Sequence, residues 1–321
     1  MRKEYCIIKE AVKHGMEAVK HRFAARCTGS RVICIRRQGI AGLYWRWKMD
    51  MIEMKEFVLE FLEKDDSNRI PAGIAKKPEY AGRKIYDGVA MGVAAADDDI
   101  IVSLKANKEA NLDLMQPEEW LPGAKSVVSF FMAYSRWITE ENTGGEWPSD
   151  GWLHGRIEGH TASNNAIVAL VERIGEKGFE AVIPTLDPRI KVFMKFAGCP
   201  ESLYTTNWAE RHIAFAAGLG SFGLSRGIIT ELGMAGRFVS LVTTAPLAPT
   251  PRKYTDLYEY CTKCGDCVRA CPPKAISLEH LKDHPPCDIF LETVKAKEGP
   301  YYGCGKCQSG TPCSHGIPAA L

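Results

Sequence analysis

Eight cysteines between positions 261 and 313 constrain this chain more than any other feature: Cys261, Cys264, Cys267, Cys271, Cys287, Cys304, Cys307 and Cys313. The other four of its 12 cysteines, Cys6, Cys27, Cys34 and Cys199, are scattered and read as ordinary thiols. Thiols at such density either pair as disulfides or hold metal, and the compartment decides between the two. The opening residues are charged from the outset (Arg2, Lys3, Glu4) and lack the apolar region of a secretory signal. The best apolar run, Ser126 to Tyr134, is strand-sized and far short of a membrane span. A cytoplasmic, soluble chain is therefore expected, with no membrane partner and with its clustered thiols as metal ligands. A net charge of +2 over 321 residues gives no global drive toward nucleic acid.

Cys261-Thr-Lys-Cys264-Gly-Asp-Cys267-Val-Arg-Ala-Cys271-Pro272 is the C-x2-C-x2-C-x3-C-P run of bacterial ferredoxins. Three thiolates on one tight loop reach three irons of a single cubane, while the fourth points away and ligates a second cluster. Cys287, Cys304, Cys307 and Cys313 complete the requirement of two [4Fe-4S] clusters. The expected sets are crossed: Cys261, Cys264, Cys267 and Cys313 on the first, and Cys271, Cys287, Cys304 and Cys307 on the second. Structural zinc is the competing reading, disfavoured by the third cysteine at x2 and by the Cys-Pro ending.

Residues 1–50 carry 12 Lys/Arg against four Asp/Glu, a local charge of +8 that leaves −6 for the remainder. They read as a basic extension outside the fold, since Met51 opens the first amphipathic helical pattern (Met54, Phe57, Val58, Phe61, Leu62). Residues 51–250 alternate short apolar runs with helical patterns, as a catalytic α+β core would, and 251–321 form the cysteine-rich module. Asp99 to Leu104, Ser126 to Tyr134 and Phe238 to Thr243 read as strands. Ile167, Leu170, Val171 and Ile174 define a helix expected to start near Ser163 and stop at Gly178. Asn207 with Glu210 three residues on suggests a capping box for another helix that ends before Gly218. Pro246, Pro249 and Pro251 mark a stiff linker.

Gly218-Leu-Gly220-Ser-Phe-Gly223 spells G-x-G-x-x-G but follows a helix rather than a strand, so it is not a dinucleotide fingerprint. Glu210-Arg211, Ala217 to Gly223, Arg237-Phe-Val-Ser-Leu-Val-Thr-Thr, Pro246-Leu-Ala-Pro249 and the eight-cysteine tail together resemble the epoxyqueuosine reductases and the related reductive dehalogenases. Leu121-Pro-Gly-Ala-Lys125-Ser-Val-Val adds to the resemblance, which covers about residues 80–321. It implies a nitroreductase-like α/β core that holds cobalamin, joined to a ferredoxin-like module with two [4Fe-4S] clusters. It also implies a low-potential electron donor such as ferredoxin or flavodoxin. Arg156, Gly218, Gly220, Gly223 and Arg237 are the corresponding corrinoid-binding candidates, with the corrinoid expected between the helix ending near Gly218 and the strand Phe238 to Thr243.

The family's catalytic run corresponds here to His154-Gly-Arg156-Ile-Glu158-Gly-His160. Reductive cleavage of a C–O or C–halogen bond needs a proton donor, and a carboxylic acid raised in pKa by burial can serve. Glu158 is the first candidate, followed by Tyr134 and His160. The expected activity is epoxyqueuosine-reductase-like deoxygenation. The alternatives are reductive dehalogenation, electron carriage without a substrate site, and tRNA binding through the basic first 50 residues. Anaerobically prepared protein should contain eight irons per chain with acid-labile sulfide, and Cys264→Ser should remove about half of the cluster signal; stoichiometric zinc without sulfide would overturn the assignment.

Overall fold

In the computed structural model the strand Ser126–Tyr134 lies at the centre of an antiparallel sheet. The structure describes residues 51–106, 114–193 and 205–319. The basic extension and the four scattered cysteines lie outside these. Helix α1 (Met51–Lys64) buries Met54, Val58 and Leu62, as its pattern implies. It leads into β1 (Tyr86–Ala95), α2 (Asp99–Ala106), the single turn α3 (Pro117–Trp120), β2 (Ser126–Tyr134), α4 (Arg136–Glu141) and α5 (Asp150–Glu176). Short strands β3 (Ala181–Val182), β4 (Val192–Phe193) and β5 (Thr205–Thr206) come next. They are followed by α6 (Glu210–Ala216), β6 (Gly220–Phe222), β7 (Ile228–Thr230) and β8 (Gly236–Thr243). The cysteine-rich region holds α7 (Asp266–Arg269), β9 (Ile276–Ser277), β10 (Leu281–Lys282) and α8 (His284–Glu298).

The main sheet has order β1-β2-β8-β3 with every pair antiparallel. Its two-residue period sorts the core. Val128, Phe130 and Met132 of β2 join Val239 and Leu241 of β8 beneath α1 and α5. Val127 and Phe131 face the other way, toward α6. Both faces of β2 are thus covered, which is why it reads as an unbroken apolar run. Among the described residues no helix is long and apolar enough to cross a membrane. Residues 47–321 form one compact unit, with the cysteine-rich tail seated on the core.

Three sequence expectations are corrected. Asp99 to Leu104 is helix, not strand: Asp98 Oδ1 accepts from the Ile100 N–H at 3.0 Å, a local start signal that outweighs a short β-branched run. Helix α5 begins at Asp150 rather than near Ser163. Ser149 caps it through Trp152 N–H, and Gly178 at φ +83° follows its end. Asn207 caps nothing; its side chain accepts from Lys191 N–H and donates to Arg189 C=O, while α6 starts after Ala209 without a side-chain cap.

Gly220 shows what the G-x-G-x-x-G segment does. It pairs with Thr230 in the β6–β7 hairpin, and a Cβ there would lie 1.9 Å from the Ile229 carbonyl oxygen. At Gly223 a Cβ would meet nothing closer than 3.4 Å. Gly220→Ala should therefore lower stability by roughly 1–3 kcal/mol and Gly223→Ala by under about 0.5 kcal/mol, read by thermal unfolding. Equal effects would show that the hairpin does not set the glycine requirement.

Candidate iron–sulfur module and adjoining cleft

The loop before α7 turns at Gly265 (φ +79°), carrying Cys261, Cys264 and Cys267 onto a common wall; Cys271 follows the helix. Cys307, Cys313, Cys261 and Cys264 all act on Cys267, and Cys261 and Cys264 act on Cys313. Cys261, Cys264, Cys267 and Cys313 line a cavity whose other walls include Gly223, Leu224, Ile229, Met234 and Pro312. Five residues separate Cys307 from Cys313, two more than the three between Cys267 and Cys271, and the Thr311–Ser314 turn spans Cys313. Cys304 lies among Cys307, Cys287 and Cys271, which form the second group. Burial pushes the thiols of Cys267 and Cys304 up to about 12, and the neighbouring thiols of each group push the same way. Four thiols gathered this closely cannot readily ionise together without positive charge in their midst, and a bound iron cluster would supply it. Among the described residues no three His, Cys, Asp or Glu side chains converge as ligands of a single ion. The first thiols surround a cavity instead, which suits a group of many atoms.

Next to the second group, the core presents a tyrosine–arginine cluster. Tyr86 and Tyr134 stack at 5.3 Å, and Tyr134 meets Trp152 edge-on at 5.2 Å. Gly155 and Gly159 of α5 make room: a Cβ on Gly159 would lie 2.8 Å from the Tyr86 hydroxyl, and one on Gly155 3.0 Å from the Tyr134 ring. Arg237 of β8 reaches between them, its Nη2 donating to His160 Nδ1 at 2.9 Å. Arg156 lies over the Tyr302 ring at 4.8 Å. Gly303 and Gly305 seat the Cys304 loop on α5: a Cβ on Gly305 would sit 1.9 Å from the Trp152 ring, and one on Gly303 3.2 Å from Arg156 Cγ.

Charge in this cleft is one-sided. Burial raises the pKa of Tyr134 and lifts that of Tyr86 well above its ordinary value, against the pull of Arg237. Tyr302 moves down, chiefly because of the Arg156 guanidinium. Desolvation, aided by Arg237 and Arg156, pushes His160 down to about 3. His160 lies exposed at the edge of this cluster and offers Nδ1 as an acceptor to Arg237. The Tyr86 hydroxyl and Arg237 Nη1 are buried without a hydrogen-bond partner.

Glu158 does not enter this cluster. Two residues along a helix turn the side chain by about 200°, so Glu158 and His160 point to opposite sides of α5. Glu158 Oε2 accepts from His154 Nδ1 at 2.8 Å, and Oε1 accepts from the Tyr301 hydroxyl at 3.4 Å. His154 Nε2 accepts from the Lys76 N–H at 3.0 Å, which fixes the ring's proton on Nδ1. Glu158 therefore positions a helix and a loop. The Tyr134 hydroxyl is already donated to Gly155 C=O at 2.9 Å.

The glycine candidates are likewise placed apart from Arg156 and Arg237. Gly218 packs on Thr250, and the Ile229 backbone occupies the space beside Gly220. Between α6 and β2 the structure packs Ala214, Phe131 and Leu219 against one another. Sequence reasoning missed Tyr86, Tyr302 and Glu210. Tyr302 lies two positions from Cys304, a usable signal, whereas nothing marked Tyr86 within its strand. Glu210, read as a capping residue, is buried near Ser240, and desolvation pushes its carboxyl up to about 7.

Comparison with known proteins follows these lines. Residues 254–277 match the 4Fe-4S binding domain family. A tetrachloroethene reductive dehalogenase from Desulfitobacterium hafniense is 36% identical over 115 residues, covering 32% of this chain and 20% of that one. One from Dehalobacter restrictus is 35% identical over the same length, with the same coverage. The chain spans about a fifth of the length of these curated relatives. Among solved structures, epoxyqueuosine reductase from Bacillus subtilis aligns with a TM-score of 0.43 at 18% identity, over 83% of this chain and 67% of that one. The catabolic reductive dehalogenase NpRdhA aligns at 0.47 and 13%, over 84% and 37%. The chain carries a 4Fe-4S binding domain match at residues 254–277 and is similar over 115 residues to tetrachloroethene reductive dehalogenases.

Proposed function

We propose that this chain is an iron–sulfur reductase whose substrate is reduced at the cleft formed by Tyr86, Tyr134, Arg156, Arg237 and Tyr302. The observation that carries this reading is the seating of the Gly303–Gly305 loop on Trp152 and Arg156, which sets the second thiol group against the tyrosines. Bound at the two thiol groups, [4Fe-4S] clusters supply single electrons at low potential. Their source is a donor of the ferredoxin or flavodoxin class. The reaction is reductive cleavage of a carbon–halogen or carbon–oxygen bond, the chemistry named by the relatives. For a halide, R–X takes two electrons and one proton and gives R–H and X⁻. The residues must then deliver a proton, and Tyr302 is best placed. It is half-buried and therefore reachable, and Arg156 stabilises the phenolate left behind. Arg237 keeps the neighbouring phenols in a positive field, and His160 holds its guanidinium in place.

A carrier without its own substrate is the second reading, favoured by the ferredoxin-type module alone. The two separate on one measurement: halide release from tetrachloroethene by anaerobically reconstituted protein reduced with titanium(III), with and without added cobalamin. Release that falls about 10²-fold or more in Tyr302→Phe, at unchanged iron content, supports the reductase and its donor. Protein with full clusters and no release under either condition supports the carrier.

The pH dependence carries a sign. A phenol donates only while protonated, so the rate falls as pH rises through the Tyr302 pKa, which Arg156 holds below its ordinary value. Arg156→Gln should move that alkaline limb to higher pH, and ultraviolet titration of the phenolate should move with it. A limb that stays in place would assign the proton to another group.

A further inference from the structure

The two thiol groups differ sharply in the charges around them. In the first, the groups acting on Cys267 and Cys313 are the other thiols of the module, with the Thr311 hydroxyl added at Cys313. The nearby cations are solvent-facing: Lys263 is exposed, and exposed Arg269 is paired with Asp266. In the second, Lys282 acts on both Cys271 and Cys307, Lys274 on Cys271, and Arg211 on Cys307.

Lys306 adds the decisive charge. It sits in the turn between Cys304 and Cys307 and is only 4% exposed. Its Nζ donates to Asn142 C=O at 3.0 Å and to Gly144 C=O at 2.6 Å, the latter as short as charge-assisted bonds run. Burial is the larger influence and lowers the Lys306 pKa, while Cys304 and Glu141 work for the ammonium and the two carbonyls accept its hydrogen bonds. Glu141 is itself engaged by Tyr80, Lys77 and the Gly151 N–H. A buried charge is weakly screened by salt, so Lys306 outweighs exposed Lys263 and Arg269 of the first group.

We propose that Lys306, with Lys282, makes the cluster held by Cys271, Cys287, Cys304 and Cys307 the higher-potential of the two. Reduction adds negative charge to a cluster, and a fixed positive charge close by favours that state. This rests on the two-cluster reading and specifies what the chain's own charges do to it. The higher-potential site is then the one whose loop lies on Trp152 and Arg156, so the electrostatic gradient points toward the cleft.

Anaerobic redox titration of the intact protein, followed by electron paramagnetic resonance, tests this. Iron and sulfide content is measured first: fewer than eight irons in the wild type removes the two-cluster reading itself. With eight irons, two midpoints are expected, and Cys287→Ser should remove the higher one. Lys306→Gln should shift that midpoint to more negative potential, so that its reduced-to-oxidised ratio at the wild-type midpoint falls by about tenfold. The other midpoint should stay put, and Lys306→Arg should restore the first. Where Lys306→Gln loses iron, Lys282→Gln carries the test, with a smaller negative shift of the same signal. Full iron with neither midpoint moved in the variant tested, or a shift of the lower midpoint instead, overturns the proposal.

Discussion

The contact between the Cys304 loop and helix α5 is the constraint on which the rest of the molecule depends. Gly305, at φ +65°, lets the loop lie flat on the Trp152 indole at a distance that no side chain would allow. Asn142 then ties it down: its Nδ2 donates to Cys304 C=O and Ser309 Oγ, and its Oδ1 accepts from the Ser149 N–H that precedes α5. Glu298 of α8 adds a second tie, accepting from Lys76 Nζ at 2.7 Å and from Trp147 Nε1 at 2.9 Å. These polar groups are buried or half-buried and satisfied by one another, so loosening one leaves others unpaired. A metal module that could have hung from a flexible tether is thereby fixed against the sheet.

That seating explains why α5 looks as it does. The run His-Gly-Arg-Ile-Glu-Gly-His in the first half of α5 carries two glycines and several polar residues, a weak helical signal by propensity. The packing requires them. Gly155 and Gly159 are the positions where Tyr134 and Tyr86 press on the helix backbone. Arg156 and His160, one turn apart, face the cleft, while His154 and Glu158, also one turn apart, face the Lys76 loop. The cost in local propensity is offset by aromatic burial on both sides.

The same reasoning shows what the sequence made legible. The cysteine run was readable because metal spacing is a local property, and its crossed partners followed from the geometry of that run. Strand β2 was readable because nine apolar or small residues buried on both faces leave one pattern. The start of α5 was not, although Ser149 is a local cap, since Gly151, Gly155 and Gly159 weaken the helical pattern and the partners that require Gly155 and Gly159, Tyr134 and Tyr86, lie more than 20 residues away in sequence. Glu158 looked apt as an acid because composition shows which residues are near one another along the chain, not which side of a helix each occupies. The glycines of Gly218 to Gly223 suggested a flat ligand, yet a close backbone neighbour has the same signature, and only the hairpin pairing tells them apart.

Arg237 closes the argument about the cleft. A guanidinium stays charged at any working pH, and among the groups acting on it phenols stand where a carboxylate would be expected. The nearest imidazole contributes a lone pair. The cation shares its field between these phenols and the Glu210 carboxyl, and Tyr302 is the phenol whose pKa is lowered. Arg156 and Arg237, both half-buried, thus favour negative charge at Tyr302 beside the Cys304 loop, an arrangement that the fold of α5 and β8 sets before any ligand is present.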